Sequence, residues 1–363
     1  MAATIRTRLT EWGVTPRLIT MTGAALVVFV LLLTMMTVPV PYGVQAPGPI
    51  VDTLGEANDV ELISVEGTET YETSGELYLT TVTTAGGPGY PVDAGAVIKG
   101  WVSPSTRVAP VEAFFDTSQT QDEIDAASSQ QMLTSQQNAT VAALTALGYE
   151  VPAELTIVGT QPGSGSDGVA QDGDVITGIE TDGGVIEVLT FADLSDELAR
   201  TPPGTTVQLV VDRDGEQTRL PVPTGDDGLG GSVLGVFLSG EFDYPVDVDI
   251  QIDNIGGPSA GTMFALGIID KLTPGELTGG HPIAGTGTIS LGGVVGAIGG
   301  IQQKLAGARA GGVEYFLAPQ ANCDEVVGHV PAGLQVISVS TLDQARDAVE
   351  AVAAGSASDL PTC

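Results

Sequence analysis

The sequence predicts an α+β protein in three parts: a single N-terminal transmembrane helix, a β-rich domain, and a C-terminal α/β domain. Three observations predict it. Residues 18–40 carry no charge. Short β-type runs, punctuated by glycine and proline, fill the middle of the chain. Toward the C-terminus, Gly-rich connections alternate with strands and apolar helices.

Leu18 to Val40 reads LITMTGAALVVFVLLLTMMTVPV. At roughly 1.5 Å per residue this run crosses a hydrocarbon core of about 30 Å. Arg6, Arg8 and Arg17 precede it against one acid, Glu11, and the next basic residue is Lys99. That bias predicts a cytoplasmic segment over residues 1–17 and an extracytoplasmic location for the bulk of a single-pass membrane protein. A cleaved signal peptide would have a shorter apolar region and a small-x-small site. Val38-Pro39-Val40-Pro41-Tyr42 offers none, which favours an uncleaved anchor.

The 363 residues suffice for two compact domains. Lys and Arg total 12 against 45 Asp and Glu, a formal charge of −33. Such a surface repels phosphates, which excludes nucleic acid as a main partner and disfavours lying flat on anionic lipid. Two cysteines, Cys323 and Cys363, fall in the predicted oxidising compartment and are a disulfide candidate. A bridge closing a loop of that length contributes about 4 kcal/mol in the chain-entropy model. With no CxxC or HxH spacing, no metal site is expected.

Residues 41–152 form an extracytoplasmic region. Leu77 to Thr83 has strand propensity, Gly86-Gly87-Pro88-Gly89 breaks it, and Asp122 to Leu147 predicts a helix closed by Gly148. Ser135-Gln136-Gln137-Asn138 on that helix reads as structural, and the sequon Asn138-Ala139-Thr140 is too short a pattern to carry weight. Whether Leu77–Val82 joins the C-terminal fold, with the middle domain inserted, stays open at this level.

Over 153–225 the texture changes to a loop of small residues (Gln161 to Gly168), Gly173-Asp174-Val175-Ile176, a short helix from Phe191-Ala192-Asp193-Leu194, Pro203-Gly204 before a strand, and the hairpin Arg213-Asp214-Gly215. In this order the segment resembles a PDZ domain of the kind found with bacterial proteases. The resemblance implies a groove that takes a peptide terminus or an extended stretch by adding it to a sheet edge. Gly163 to Gly168 also fits GxGxxG, but the following turn leads into a strand where a dinucleotide site needs a helix. No GxxxxGK[ST] occurs.

The last stretch carries the chemistry. Lysine is rare: Lys99, Lys271 and Lys304 only. His281 and His329 each lack a positioned carboxylate beside a strained serine turn, so a Ser-His-Asp arrangement is disfavoured. In Ile255-Gly256-Gly257-Pro258-Ser259-Ala260-Gly261, Pro258 favours the first helical turn. That places Ser259 where free N–H groups stabilise a developing oxyanion, although a plain capping serine explains the same position. Ala284 to Val295 reads as a strand, a Gly-Gly turn and a return strand. Gly299-Gly300 then opens a helix bearing Lys304, and Tyr315 to Pro319 is a further strand.

GPSAG, TGTISLGG, Gly-Gly before a lysine-bearing helix and the FLAP strand together resemble the proteolytic domain of the Lon peptidases, over 233–352. The stretches Tyr71 to Gly75 and Leu79 to Val82 are similar to the PDZ-containing, membrane-anchored branch. What the resemblance implies is a Ser-Lys dyad with Ser259 as nucleophile, Lys304 as base and Thr286 supporting the lysine. Many Lon enzymes have an acid three residues before the serine; here that residue is Gly256. A serviceable base needs its amine stripped of charge, and Leu305, Ala306, Val294, Val295 and Ile298 are the candidate apolar surroundings. Residues 353–363 form a C-terminal tail.

The expectation is therefore an ATP-independent serine endopeptidase without cofactors, acting on unfolded or membrane-associated proteins. The alternatives are a non-catalytic anchored PDZ scaffold and a peptidase confined to itself or its membrane neighbours. The oligomeric state, a homo-oligomer included, is left open.

Overall fold

The computed structural model describes residues 15–57, 60–181, 184–228 and 230–363. Arg6, Arg8 and Glu11, on which the orientation argument rests, lie outside them. Helix α1 (Pro16–Met35) opens on a Thr15 cap whose hydroxyl accepts from Leu18 N, with Pro16 in the first turn. It is long and apolar enough to cross a membrane, and none of Arg17–Met35 is buried against protein. The span ends earlier than the expected 18–40. Prolines 39 and 41 cannot continue a helix, and Pro39–Val40 instead pairs antiparallel with Val92–Asp93.

The α2 helix (Ala94–Val102) follows directly, capped by the Asp93 side chain. After it α3 (Gln121–Ala146) opens on a reciprocal capping box between Thr120 and Glu123. Both belong to the larger of two units. Its six-stranded sheet has the order Gln335–Val339, Tyr315–Pro319, Pro282–Gly285, Glu76–Ala85, Tyr42–Asp52, Arg107–Pro110. The first four are mutually parallel, and Tyr42–Asp52 runs antiparallel to both its neighbours. Half of this sheet comes from residues 42–110, so the N-terminal region is part of the C-terminal fold.

Side-chain alternation sorts this sheet into two buried faces. Ile283, Leu317 and Ile337 point to the layer built by α3 and two later helices, α5 (Gly261–Leu272) and α7 (Leu342–Ala353). Ala284, Phe316, Ala318 and Val336 point to the opposite layer, under α6 (Ile301–Ala310). Every residue of α5 is buried.

The smaller unit has its own core, with Leu155, Ile157, Ile179, Leu209 and Val222 among its members. Its antiparallel sheet runs Glu216–Pro223, Thr206–Arg213, Val175–Thr181, Ala153–Thr160, Val236–Phe242, and α4 (Phe191–Arg200) packs beside it. The Asp174 carboxylate accepts from Arg213 Nε and Nη2, both at 2.6 Å. That bidentate pair, the cause of the lowered Asp174 pKa, joins the two turns singled out in the sequence. The boundary expected at 225–233 moves: Val236–Phe242 pairs along Ala153–Thr160 instead of opening the proteolytic domain. Chain entry and exit are adjacent, Ala153 facing Phe242, so the unit is inserted between α3 and the Asp247–Ile250 strand.

Candidate active site

Ser259 sits in the irregular stretch before α5. That helix starts at Gly261 with Ala260 as its cap residue, so Ser259 lies two residues before it and makes no capping bond. The expected placement of Pro258 in the first turn is corrected accordingly. The carbonyl of Ser259 accepts from Gly287 N (2.9 Å) and Thr286 Oγ1 (2.9 Å), which turns the chain away from helical geometry. Among the described residues, no acceptor faces the N–H of Ser259 or Ala260.

The long helix α3 braces this loop. Ser128 O accepts from Gly257 N (2.9 Å), Ser135 Oγ donates to Pro258 O (3.0 Å), and Asn138 Nδ2 donates to Ile289 O (3.0 Å). None of these roles was read from the sequence. Their signal is a polar stripe at i, i+7 and i+10, one face of the helix. Asn138, the sequon residue, spends its amide inside the fold. Gly256 has a local reason too. A Cβ there would run into the Ser128 hydroxyl, so the familiar acid has no room unless that side chain turns away.

Lys304 enters from α6. The helix is launched by Gly300 in the left-handed region (φ 72°), where a Cβ would also press on Val82 and Gln45. Lys304 Nζ lies 2.7 Å from Ser259 Oγ and 2.7 Å from Thr286 Oγ1. The three residues named from sequence motifs are thus brought together. Lys304 is only 2 % exposed, and no carboxylate pairs with it among the described residues. Burial disfavours its ammonium and lowers its pKa to about 7. Of the apolar residues expected around it, Leu305, Val295 and Ile298 are buried, Ala306 is half-buried and Val294 is 43 % exposed. The remaining cover comes from the Tyr42–Asp52 and Glu76–Ala85 strands, on which α6 packs.

The loop before α6 is clamped from the other side. Asn322 Oδ1 accepts from Ile298 N and its Nδ2 donates to Ile298 O, each at 2.9 Å. Its neighbour Cys323 is bonded to Cys363. His281 stacks edge-on against Tyr315, and His329 lies beside Gln302; neither reaches Ser259. Among the described residues no group of three His, Cys, Asp or Glu is placed to hold a metal. A cleft of about 1260 Å³ opens over Ser259 and Lys304, walled by the 79–84 strand segment, α3 and the 250–256 stretch.

Residues 252–351 match the family model described as the Lon protease (S16) C-terminal proteolytic domain. The Lon protease of Campylobacter concisus is 38% identical over 91 residues, which is 24% of this chain and 11% of that protein. Lon protease 2 of Bacillus subtilis is 32% identical over 110 residues, 29% of this chain and 19% of that protein. The chain therefore spans less than a fifth of the length of these curated relatives. Among solved structures, the PDZ domain of an SdrC-like protein from Listeria monocytogenes aligns at 16% identity and a TM-score of 0.21, over 23% of this chain and 86% of that one. Residues 252–351 of this chain are thus similar to the Lon-type proteolytic domain.

Proposed function

We propose that the chain is a membrane-anchored serine endopeptidase working through a Ser259–Lys304 dyad. One observation carries this reading: a buried, unpaired lysine amine stands 2.7 Å from the serine hydroxyl. With Lys304 neutral, its lone pair takes the Ser259 proton as Oγ attacks the substrate carbonyl. The N–H groups of Ser259 and Ala260 are the candidate donors to the resulting oxyanion. The ammonium then protonates the departing amine and leaves an acyl-enzyme. A water, deprotonated by Lys304, attacks the ester and frees the new carboxylate. Thr286 fixes the geometry by accepting from Nζ while its own hydroxyl donates to Ser259 O. The chemistry needs no nucleotide or metal.

The inserted unit would hold an extended peptide or a chain terminus at a sheet edge. Unfolded or membrane-proximal proteins are the substrates this arrangement suits; α1 supports anchoring, and the basic residues before it in the sequence favour the catalytic part lying outside the cytoplasm. The test is covalent labelling by a fluorophosphonate serine probe. Wild type should label and Ser259→Ala should not. Lys304→Arg should abolish turnover of an unfolded reporter, because guanidinium stays charged. Labelling that survives Ser259→Ala rejects the nucleophile. Peptide binding with neither labelling nor cleavage would favour the non-catalytic scaffold.

A further inference from the structure

Helix α2 is apolar on both sides, but protein covers only one. Val97 and Gly100 are buried, and a Cβ at residue 100 would meet Val108 and Val44 of the sheet edge. The other side presents Ile98, Trp101 and Val102, which are 43%, 62% and 78% exposed. Apart from Lys99 at its margin, this outward side is apolar, and an apolar side left uncovered by protein calls for a second apolar phase. The fold places this one at the end of α1. Val92–Asp93, which runs straight into α2, pairs with Pro39–Val40, four residues beyond Met35. A Cβ on Gly95 would lie 4.0 Å from Met36 Cγ, so the start of α2 abuts the C-terminal end of the span. Met36 and Val38, also exposed, continue the same apolar surface.

We infer that the outward face of α2 lies in the membrane interface, with Ile98, Trp101 and Val102 seated at the boundary between headgroups and acyl chains. The inference rests on α1 crossing the bilayer. Continuity with that span selects lipid as the occupant, because whatever surrounds the end of α1 surrounds α2 as well. Tryptophan suits this depth, its apolar ring sunk and its N–H toward water. Edge-on packing on Tyr42 holds the Trp101 ring at the sheet margin. Charge is compatible locally although the whole chain is strongly acidic. Lys99 and Arg107, the first two basic residues after Arg17, are both exposed here. Two anchors at one edge of the sheet fix how the catalytic unit stands on the bilayer, which a single flexible tether does not.

The test uses full-length protein in phosphatidylcholine vesicles carrying bromines near the headgroup end of the acyl chains. Trp12 and Trp101 are the two tryptophans, so Trp12→Phe leaves Trp101 as the sole reporter. Expected is a loss of Trp101 emission relative to unbrominated vesicles, diminished by Ile98→Asp or Val102→Asp. A parallel reporter, Phe29→Trp in a background lacking both native tryptophans, reads the span itself through bromines placed deep in the chains. Quenching of Phe29→Trp without quenching of Trp101 overturns the inference and leaves the anchor standing. No quenching of Phe29→Trp removes the anchor and the inference with it. A Trp101 shielded from both bromolipid and aqueous acrylamide is covered by protein, which also overturns it.

Discussion

If Lys304 is the base, the rate of serine acylation must follow the population of its neutral form. With an ordinary value near 10.5, only about 0.03 % of the amine is neutral at pH 7; lowered to about 7, half of it is. Burial thus raises the competent fraction by roughly three orders of magnitude. Probe acylation, followed by stopped flow between pH 5 and 10, should climb about tenfold per unit below pH 7 and level off above it. A rate still rising tenfold per unit at pH 9 would mean an ordinary lysine and refute the reasoning. The same displacement has a stability cost with a definite sign. The folded value lies below the unfolded one, so the unfolded chain binds more protons between about pH 7 and 10.5, and stability rises with pH across that window. The whole swing is on the order of 5 kcal/mol. Lys304→Met removes it, and should raise the unfolding midpoint more at pH 6 than at pH 10.

Thr286→Val deletes the hydroxyl shared by Lys304 Nζ and Ser259 O; turnover should fall about 10- to 100-fold, the equivalent of one hydrogen bond to a charged group, while Thr286→Ser retains most of it. Gly256→Asp forces the Ser128 side chain aside and should slow acylation, with partial recovery in a Gly256→Asp, Ser128→Gly double variant. Asn322→Ala leaves the N–H and C=O of Ile298 without partners, at about 1–3 kcal/mol for each buried group; thermal unfolding should come earlier and acylation should slow. Reduction of Cys323–Cys363, 40 residues apart, should cost about 4 kcal/mol by chain entropy, read as a lower unfolding midpoint in reductant.

Ser259, Lys304 and Thr286 were singled out through the Lon resemblance, which rests on local patterns: a Gly-Pro-Ser turn, a Gly-Gly helix entry, a Gly-flanked threonine. Their convergence was not local. The Pro282–Gly285 strand that delivers Thr286 lies beside Glu76–Leu79, some 200 residues away in parallel register, and parallel neighbours leave no turn signature between them. Insertion of the smaller unit was hidden for a related reason. The texture of 153–223 marks a separate domain, but nothing in Val236–Phe242 says whether it pairs backward to Ala153–Thr160 or forward. The bracing face of α3 escaped because Ser128, Ser135 and Asn138 are ordinary helix-surface residues by type, and only their spacing carries information. In α1 the apolar run overstated the helix, since Pro39 and Val40 read as apolar yet pair with Val92–Asp93.

The burial that lowers the Lys304 pKa is assembled from separated parts of the chain, and this constrains what the N-terminal region must be. Its own helix supplies Leu305 and the entry loop supplies Ile298, but the helix is covered by the strands Tyr42–Asp52 and Glu76–Ala85. The segment recognised as the proteolytic domain begins at residue 252 and contains neither strand. Without them one side of α6 would face water, the amine would regain its proton, and the geometry at Ser259 would lose its purpose. The first of these strands also lies near the end of α1: Tyr42 comes seven residues after Met35, with only the short Pro39–Val40 strand between them. The same N-terminal region therefore covers the helix that bears Lys304 and carries the domain at the end of α1. A truncation of the chain to its family-matched segment should consequently lose the lowered lysine pKa along with its fold, and a form without α1 that keeps the lowered value has to begin at or before Tyr42.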